Sequence, residues 1–397
     1  MSESSSSNSG SYQVLARRYR SRSFDELVGQ QAIIRTLRNA IAQQRTAHAY
    51  LFCGTRGVGK TSAARIFAKE LMWHGLAVRG EDALPEAASD AIFRGEDIDV
   101  VEIDGASHNG VNEVRELITN SGLMPARMPY KLYIIDEVHM LSTQAFNALL
   151  KTMEEPPDHV KFVLCTTEPQ KVPQTIQSRC QRFDFRTIPD RQIADHLCEI
   201  LRSEGITFDE HVPLEVARLA EGSMRDGLTL LDRVVSAAEG ALTAELLSEV
   251  LGLPDESLLG TLVEAIAGSD VATTLGTAGE LIANGMAPAH LLDALAERLR
   301  RVLVVLTCGP DSDLGGMTEE AAERCAEVGR SLDPPSLVHM IVACDAGSRQ
   351  VRTSGTPRAL MEAILVRLCY VEAFARAAGL LEDGSGGSGK KEPARAR

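Results

Sequence analysis

The sequence predicts an α/β fold in which a parallel sheet covered by helices is followed by two wholly helical sections. Two observations support this prediction. Between residues 24 and about 186, short apolar runs alternate with helical patterns, as in a parallel sheet covered by helices. After residue 188 the strand pattern stops, and apolar residues recur at helical spacing instead. The 397 residues are enough for two or three domains, each with its own core.

Three near-continuous apolar runs are the predicted strands, because a parallel strand is buried on both faces. They occupy residues 49–52, 132–135 and 162–165. A polar or glycine-containing turn follows each run, and α/β proteins place their ligands at such turns. We therefore expect a binding site where these strands end.

The remaining chain is expected to be helical. Residues 191–203 and 212–220 are predicted helices of the second section, and the third section has apolar periodicity at 289–306, 335–346 and 358–378. The predicted divisions are a disordered tail at 1–11, a sheet domain at 12–188, a small helical domain at 189–252, a larger one at 253–381 and a flexible tail at 382–397.

The composition excludes several classes of protein. The net charge of −14 argues against a protein that coats nucleic acid by bulk attraction. The acidic excess lies in the second half, because residues 1–188 hold 22 basic and 22 acidic side chains whereas residues 189–397 hold 19 and 33. No stretch approaches the roughly 20 apolar residues of a membrane helix, and the serine-rich start lacks the apolar centre of a secretory signal. We therefore expect a cytoplasmic protein without a membrane partner.

Residues 54–61 match the phosphate-binding pattern G-x-x-x-x-G-K-[ST], directly after the first predicted strand and before a helical run at 62–71. Glycines let backbone N–H groups curl around phosphates, Lys60 would reach the β and γ oxygens, and Thr61 would ligate Mg²⁺. The alternative is a glycine-rich turn that matches by chance. The predicted nucleotide-binding residues here are Gly54, Thr55, Arg56, Gly57, Val58, Gly59, Lys60, Thr61 and Ser62.

The second predicted strand ends in two acids, Asp136 and Glu137. In a P-loop protein such a pair divides the work, with Asp136 in the Mg²⁺ shell and Glu137 as the base that polarises the attacking water. The alternative is that both acids cap the following helix. The nearby His139 is interpreted as structural. After the third strand, Thr167 would place its hydroxyl beside the water and the γ-phosphate, again with a structural role as the alternative.

Two arginines are candidates to complete this site. Arg179 lies in the run Ser178-Arg179-Cys180 at the end of the sheet domain, where a catalytic role and an ordinary surface position are equally open. Arg225 starts a helix in the second domain, from which it could close over a nucleotide bound to the first, and the same alternative applies.

Eight segments, in this order and together with the P-loop, resemble the bacterial clamp-loader ATPases, the gamma/tau family of DNA polymerase III subunits. They are residues 13–20, 24–30, 48–52, 136–141, 146–152, 154–157, 166–171 and 178–180. The likeness spans about residues 12–378. It is dense over the first 235 and depends on helical pattern and length thereafter.

The resemblance implies an AAA+ P-loop ATPase domain with a parallel sheet, a small helical lid and a helical collar that joins subunits into a five-membered ring. It implies ATP and Mg²⁺ as cofactors, and delta- and delta-prime-like subunits, a sliding clamp and primed DNA as partners. Thr167 would be the first sensor, Arg225 the second, and Arg179 an arginine finger that acts in trans on a neighbour's γ-phosphate. Ala16, Arg17 and Val28 match the segments that pack around adenine.

The sequence departs from the family at two places. The four-cysteine zinc module that the family inserts after the P-loop helix has no counterpart, because residues 72–94 contain no cysteine. The ligand positions hold Trp73, about Ala83, Glu86 and Ser89, so we expect no zinc. The helix that tracks DNA in the family carries few basic residues here. The predicted DNA contacts are backbone N–H groups at its start and the side chains of Ser107, His108, Asn109 and Arg115. Either the grip on DNA is weak or partner subunits supply it.

Two other functions remain as alternatives. A non-hydrolysing structural subunit, which only supplies Arg179 to a neighbour, is disfavoured by the intact P-loop and acid pair. An AAA+ DNA translocase would need a basic DNA-binding domain at its C-terminal end, where this sequence is acidic. The sequence therefore predicts the ATP-hydrolysing motor subunit of a clamp loader, which loads a sliding clamp onto primed DNA.

Overall fold

A computed structural model describes residues 13–81, 84–253, 256–309 and 319–371 of the chain. The predicted tails at 1–11 and 382–397 lie outside these residues. The chain forms two compact units that divide after Leu247.

Five parallel strands form the sheet of the first unit, in the order β2-β3-β4-β1-β5. The strands are β1 (Ala49–Cys53), β2 (Val100–Asp104), β3 (Lys131–Asp136), β4 (Val160–Thr166) and β5 (Gln181–Asp184). The predicted α/β class is confirmed, and the three predicted strands are β1, β3 and β4. The edge strands β2 and β5 have no continuous apolar run, because residues such as Glu102 and Arg182 are partly or fully exposed there.

Helices cover both faces of this sheet. They are α2 (Gln31–Ala42), α3 (Lys60–Val78), α4 (Glu86–Arg94), α5 (Val111–Ser121), α6 (Thr143–Glu154) and α7 (Gln174–Gln177), and the short α1 (Leu15–Arg18) precedes them in the chain. Successive residues of a strand face opposite sides. Tyr50 therefore lies in one buried cluster with Phe67 of α3, and Leu51 lies in another with Leu149 of α6. Both cores hold the strand ends in fixed positions.

A helical section completes the first unit. It contains α8 (Asp190–Ser203), α9 (His211–Leu219) and α10 (Met224–Ala237), and α11 (Ala244–Leu251) spans the division between the units. The first two match the predicted helices at 191–203 and 212–220. Helix α1 packs against α10, so the N-terminal segment reaches this helical section.

The described part of the second unit is helical. Its helices are α12 (Glu256–Ala267), α13 (Val271–Ala283), α14 (Pro288–Cys308), α15 (Glu319–Gly329), α16 (Pro334–Thr353) and α17 (Pro357–Cys369). Helix α16 extends beyond the predicted end at 346. Its Gly347 lies close against α17, since a Cβ at 347 would lie 2.6 Å from Cδ1 of Ile364. Helix α17 ends at Cys369, and the predicted continuation to 378 lies mostly outside the described residues. Within the described ranges, every helix is too short or too polar to span a membrane.

Two buried tyrosines in the central strands differ in their hydrogen bonding. Tyr50 and Tyr133 are 0% and 1% exposed, and burial raises the pKa of each to about 12. The Tyr50 hydroxyl accepts a hydrogen bond from Ala47 N at 2.8 Å, whereas the Tyr133 hydroxyl has no partner among the described residues. We expect Tyr50→Phe to lower the free energy of unfolding by about 1 kcal/mol. Tyr133→Phe should leave it unchanged or raise it by about 1 kcal/mol, because an unpaired buried hydroxyl is removed.

Denaturant titration of both variants beside the wild type measures these changes. A loss for Tyr133→Phe as large as that for Tyr50→Phe would show that the Tyr133 hydroxyl is hydrogen-bonded in solution.

Candidate nucleotide-binding site

The loop between β1 and α3 depends on glycine for conformation and for space. Gly54, Gly57 and Gly59 have φ angles of 151°, 77° and 95°, a region that L-residues with side chains rarely adopt. A Cβ at 54 would lie 2.6 Å from the carbonyl oxygen of Phe185, and one at 57 would lie 1.8 Å from Ser223 Oγ. The loop therefore lies directly against the start of helix α10.

Lys60 and Thr61, the first residues of α3, point their polar groups into the site. Lys60 is 6% exposed, and its Nζ donates to the carbonyl oxygens of Gly54 and Thr55, both at 2.8 Å. Burial lowers the pKa of Lys60. Thr61 Oγ1 donates to Asp136 Oδ2 at 2.7 Å, which joins the P-loop helix to the end of β3. Phosphate oxygens could replace the loop carbonyls as partners of Lys60.

The acid pair lies at the end of β3 and contacts the turn after β4. Glu137 has a φ of 44°, and its N–H donates to Asp136 Oδ1 at 3.0 Å. Thr167 Oγ1 donates to Glu137 Oε2 at 3.2 Å. The single turn of 3-10 helix that follows the acids, Val138–Met140, has no side-chain cap, and helix α6 is capped by Ser142, whose hydroxyl accepts from Ala145 N. The two acid side chains therefore cap neither helix. The structure thus brings Asp136, Glu137 and Thr167 together.

A cavity of about 790 Å³ lies over these groups and is closed on one side by α10. The predicted residues that line it are Ala16, Arg17, Val28, Arg56, Gly57, Val58, Gly59, Lys60, Thr61, Ser62, Asp136, Glu137 and Arg225. Gly54 and Thr55 contribute the carbonyls that hold Lys60, and Thr167 contacts the site through Glu137. The volume is sufficient for a nucleotide, which typical ligand cavities of about 300–1,000 Å³ accommodate.

Three family models match successive parts of the chain. They are described as DNA polymerase III, delta subunit (residues 29–189), DNA polymerase III clamp loader subunit, ATPase lid domain (192–240), and DNA polymerase III subunits gamma and tau domain III (242–382). A curated relative, DNA polymerase III subunit gamma of Buchnera aphidicola subsp. Schizaphis graminum, is 40% identical over 245 residues, 62% of this chain and 67% of the relative. The chain belongs to the gamma/tau family of DNA polymerase III subunits. The family expected from the sequence motifs is confirmed, and with it the AAA+ fold, an ATPase lid and a helical domain III.

Other gamma/tau relatives are longer than this chain. DNA polymerase III subunit tau of Bacillus subtilis (strain 168) is 39% identical over 361 residues, 90% of this chain and 63% of the relative. Subunit tau/gamma of Haemophilus influenzae is 47% identical over 250 residues, 62% of this chain and 36% of the relative.

A solved structure of the RuvB branch-migration motor of Thermotoga maritima is similar to part of this chain. The match covers 62% of this chain and 79% of the RuvB chain, with 17% identity and a TM-score of 0.45.

Arg20 is a cavity residue that sequence reasoning missed. Its Nε donates to Ser62 Oγ at 3.1 Å. Burial, followed by the positive charges of Arg65 and Arg225, lowers the pKa of Arg20 to about 10. Arg20 lies within the segment 13–20 that carries the family resemblance, but nothing in the segment itself singles it out from the neighbouring arginines. The fold alone places it beside the P-loop helix.

The segment around α1 also contacts the lid. The Leu15 N–H donates to Asp232 Oδ1 of α10 at 3.0 Å, and Tyr19 and Arg18 contact the Glu204 carboxylate that follows α8. Residues 15–20 therefore connect the lid to the start of the P-loop helix.

Arg179, the predicted finger, does not line the cavity of its own chain. It follows α7, its guanidinium pairs with the Glu154 carboxylate, and its Nη1 donates to the carbonyl oxygen of Thr175 at 2.7 Å. The guanidinium that lines the cavity from the lid is that of Arg225.

The four predicted DNA contacts lie on one exposed stretch. Ser107, His108 and Asn109 form the turn before α5, and Arg115 lies on that helix. Ser107 Oγ donates to Asp104 Oδ2 at 2.9 Å. A Cβ at Gly110 would lie 2.3 Å from Glu113 Oε2, so a carboxylate lies against the helix start. A phosphate that binds the backbone N–H groups at the start of α5 would therefore have to displace the Glu113 carboxylate.

Of the positions where the family has zinc ligands, Trp73 is an exposed residue of α3, and Glu86 and Ser89 lie on α4. Ala83 lies outside the described residues. In the described ranges no three His, Cys, Asp or Glu side chains come together as a metal site.

Proposed function

We propose that this chain is the ATP-hydrolysing motor subunit of the DNA polymerase III clamp loader, which loads a sliding clamp onto primed DNA. The observation that carries the proposal is the meeting of the P-loop, the Thr61–Asp136 pair, the Glu137–Thr167 pair and Arg225 at one cavity. Membership of the gamma/tau family supports it.

In this proposal the chain's own groups bind and orient the nucleotide. Lys60 and the loop N–H groups hold the phosphates, and Arg225 approaches them from the lid. Ala16, Arg17 and Val28 form the adenine end of the cavity. The Thr61 hydroxyl and the Asp136 carboxylate are hard oxygen donors close together, a set that fits Mg²⁺. Bound there, Mg²⁺ would neutralise charge on the β- and γ-phosphates.

Glu137 is the proposed general base. Its Oε2 is held by Thr167, so the carboxylate is oriented by a hydroxyl at the end of the next strand. It would accept the proton of the attacking water as the γ-phosphate is transferred to that water. A non-hydrolysing structural subunit would not need a carboxylate oriented in this way beside an intact P-loop, and we therefore prefer the motor to that alternative.

Completion of the site requires a second subunit. Because Arg179 is outside its own cavity, we infer that it enters a neighbour's site and stabilises the charge of the transition state there. The proposed assembly is a five-membered ring with delta- and delta-prime-like subunits, in the cytoplasm, that binds clamp and primed DNA. Residues 12–188, 189–252 and 253–381 would be its ATPase, lid and collar domains.

Glu137→Gln tests the base. The amide keeps the size of the side chain and an acceptor for Thr167, but it cannot take a proton at neutral pH. We expect ATP affinity within about threefold of wild type and a loss of about 10²- to 10⁴-fold in the ATPase rate of the assembled complex. Glu239→Gln, at an exposed lid position outside the cavity, is the matched control. Undiminished turnover in Glu137→Gln would remove Glu137 from the base role.

Arg179→Ala tests action in trans. The isolated chain should keep its nucleotide affinity, whereas the ATPase rate of the assembled ring should fall about 10³-fold or more, as for other arginine fingers. Arg182→Ala, three residues along and also exposed, is the matched control. Equal losses of nucleotide affinity and of ring ATPase would place Arg179 in its own site and contradict the assignment.

We also infer that the chain holds no structural zinc, because tryptophan and alanine cannot ligate it and a Glu–Ser pair is insufficient. Elemental analysis of the purified chain after mild chelation should find far less than one zinc per chain. Stoichiometric zinc would overturn this inference.

A further inference from the structure

His139 lies between two carboxylates, one of which belongs to Glu137, the proposed base. Its side chain is 6% exposed. Its Nδ1 is 3.4 Å from Glu137 Oε2 and 3.1 Å from Thr166 Oγ1, and its Nε2 is 3.3 Å from Glu168 Oε1. A buried imidazole with an oxygen at each ring nitrogen has a defined orientation.

The last residue of β4 and the turn that follows it also contact this ring. Thr166 is fully buried, and its Oγ1 accepts a hydrogen bond from Glu168 N at 3.0 Å. The Glu168 carboxylate in turn pairs with Lys171 Nζ at 2.8 Å. Within the described ranges, the charged groups that contact His139 are Glu137 on its own segment and Glu168 on the turn, whose carboxylate pairs with Lys171.

The same oxygen of Glu137 is approached from two sides. Thr167 Oγ1 donates to Oε2 at 3.2 Å, and His139 Nδ1, which is hydrogen-bonded to Thr166 Oγ1, lies 3.4 Å from the same carboxylate oxygen. Such contacts are commonly long before substrate binds. Among the described residues no donor contacts Oε1 of Glu137, so one carboxylate oxygen is held by protein and the other is open to water.

We propose that His139 is a positioning residue for Glu137. With Thr167 it holds Oε2, and this directs Oε1 towards the attacking water. The imidazole thereby joins the base to the turn that carries Thr167, so a shift of that turn would rotate the carboxylate. This role rests on the proposed ATPase function and is an alternative to the structural interpretation of His139 from the sequence.

Two near-isosteric variants distinguish the ring nitrogens. His139→Asn keeps an amide nitrogen near the place of Nδ1, and His139→Gln keeps one near the place of Nε2. We expect His139→Ala and His139→Gln to lower kcat of the assembled complex by about 10- to 100-fold, the cost of a misplaced catalytic group. His139→Asn should stay within about threefold of wild type. KM for ATP should change by less than about twofold in all three, because His139 contacts no phosphate-binding group.

The melting temperature of each variant is measured in parallel. Equal kcat losses in the Asn and Gln variants, a rise of KM with the fall of kcat, or rates that follow the melting temperature would overturn the positioning role. If the wild-type complex is active and His139→Ala has the same ATPase rate, the positioning role is wrong and the proposed ATPase function is unaffected. A wild-type complex without ATPase activity would overturn the proposed function as well.

Discussion

The close contact between the P-loop and the lid constrains the rest of the site. Ser223 Oγ occupies the space that a side chain at Gly57 would need. Ser223 is also the N-cap of α10, where its hydroxyl accepts from Asp226 N at 3.2 Å. Because Arg225 lies in the first turn of this capped helix, the contact determines where its guanidinium enters the cavity. The loop, the helix start and the arginine are therefore positioned together.

The parallel sheet places the remaining groups. Parallel strands end at the same edge, and the register aligns Cys53 at the end of β1 with Thr166 at the end of β4. Strand β3 lies on the other side of β4 and ends in Asp136. The P-loop, the acid pair and the sensor threonine consequently share one edge, although 75 residues separate Thr61 from its partner Asp136.

Much of this site could be predicted because its residues adjoin buried strands. Lys60, Thr61, Asp136 and Glu137 follow apolar runs at fixed distances, and those runs are readable because both faces of a central strand are buried. The edge strands β2 and β5 could not be predicted, because their exposed polar residues break the run. The rest of the site depends on contacts between distant segments, which no local pattern records. Such contacts place Arg20 in the cavity, and they pair His139 with Glu168 and Arg179 with Glu154.

The segment 15–20 links the lid to the P-loop helix. Its first residue is bonded to α10 through Asp232, and its last is bonded to α3 through Ser62. While α1 stays helical, most of this segment has a fixed length. A swing of the lid away from the sheet would then either withdraw the Arg20 guanidinium from the mouth of the phosphate loop or detach Leu15 from α10.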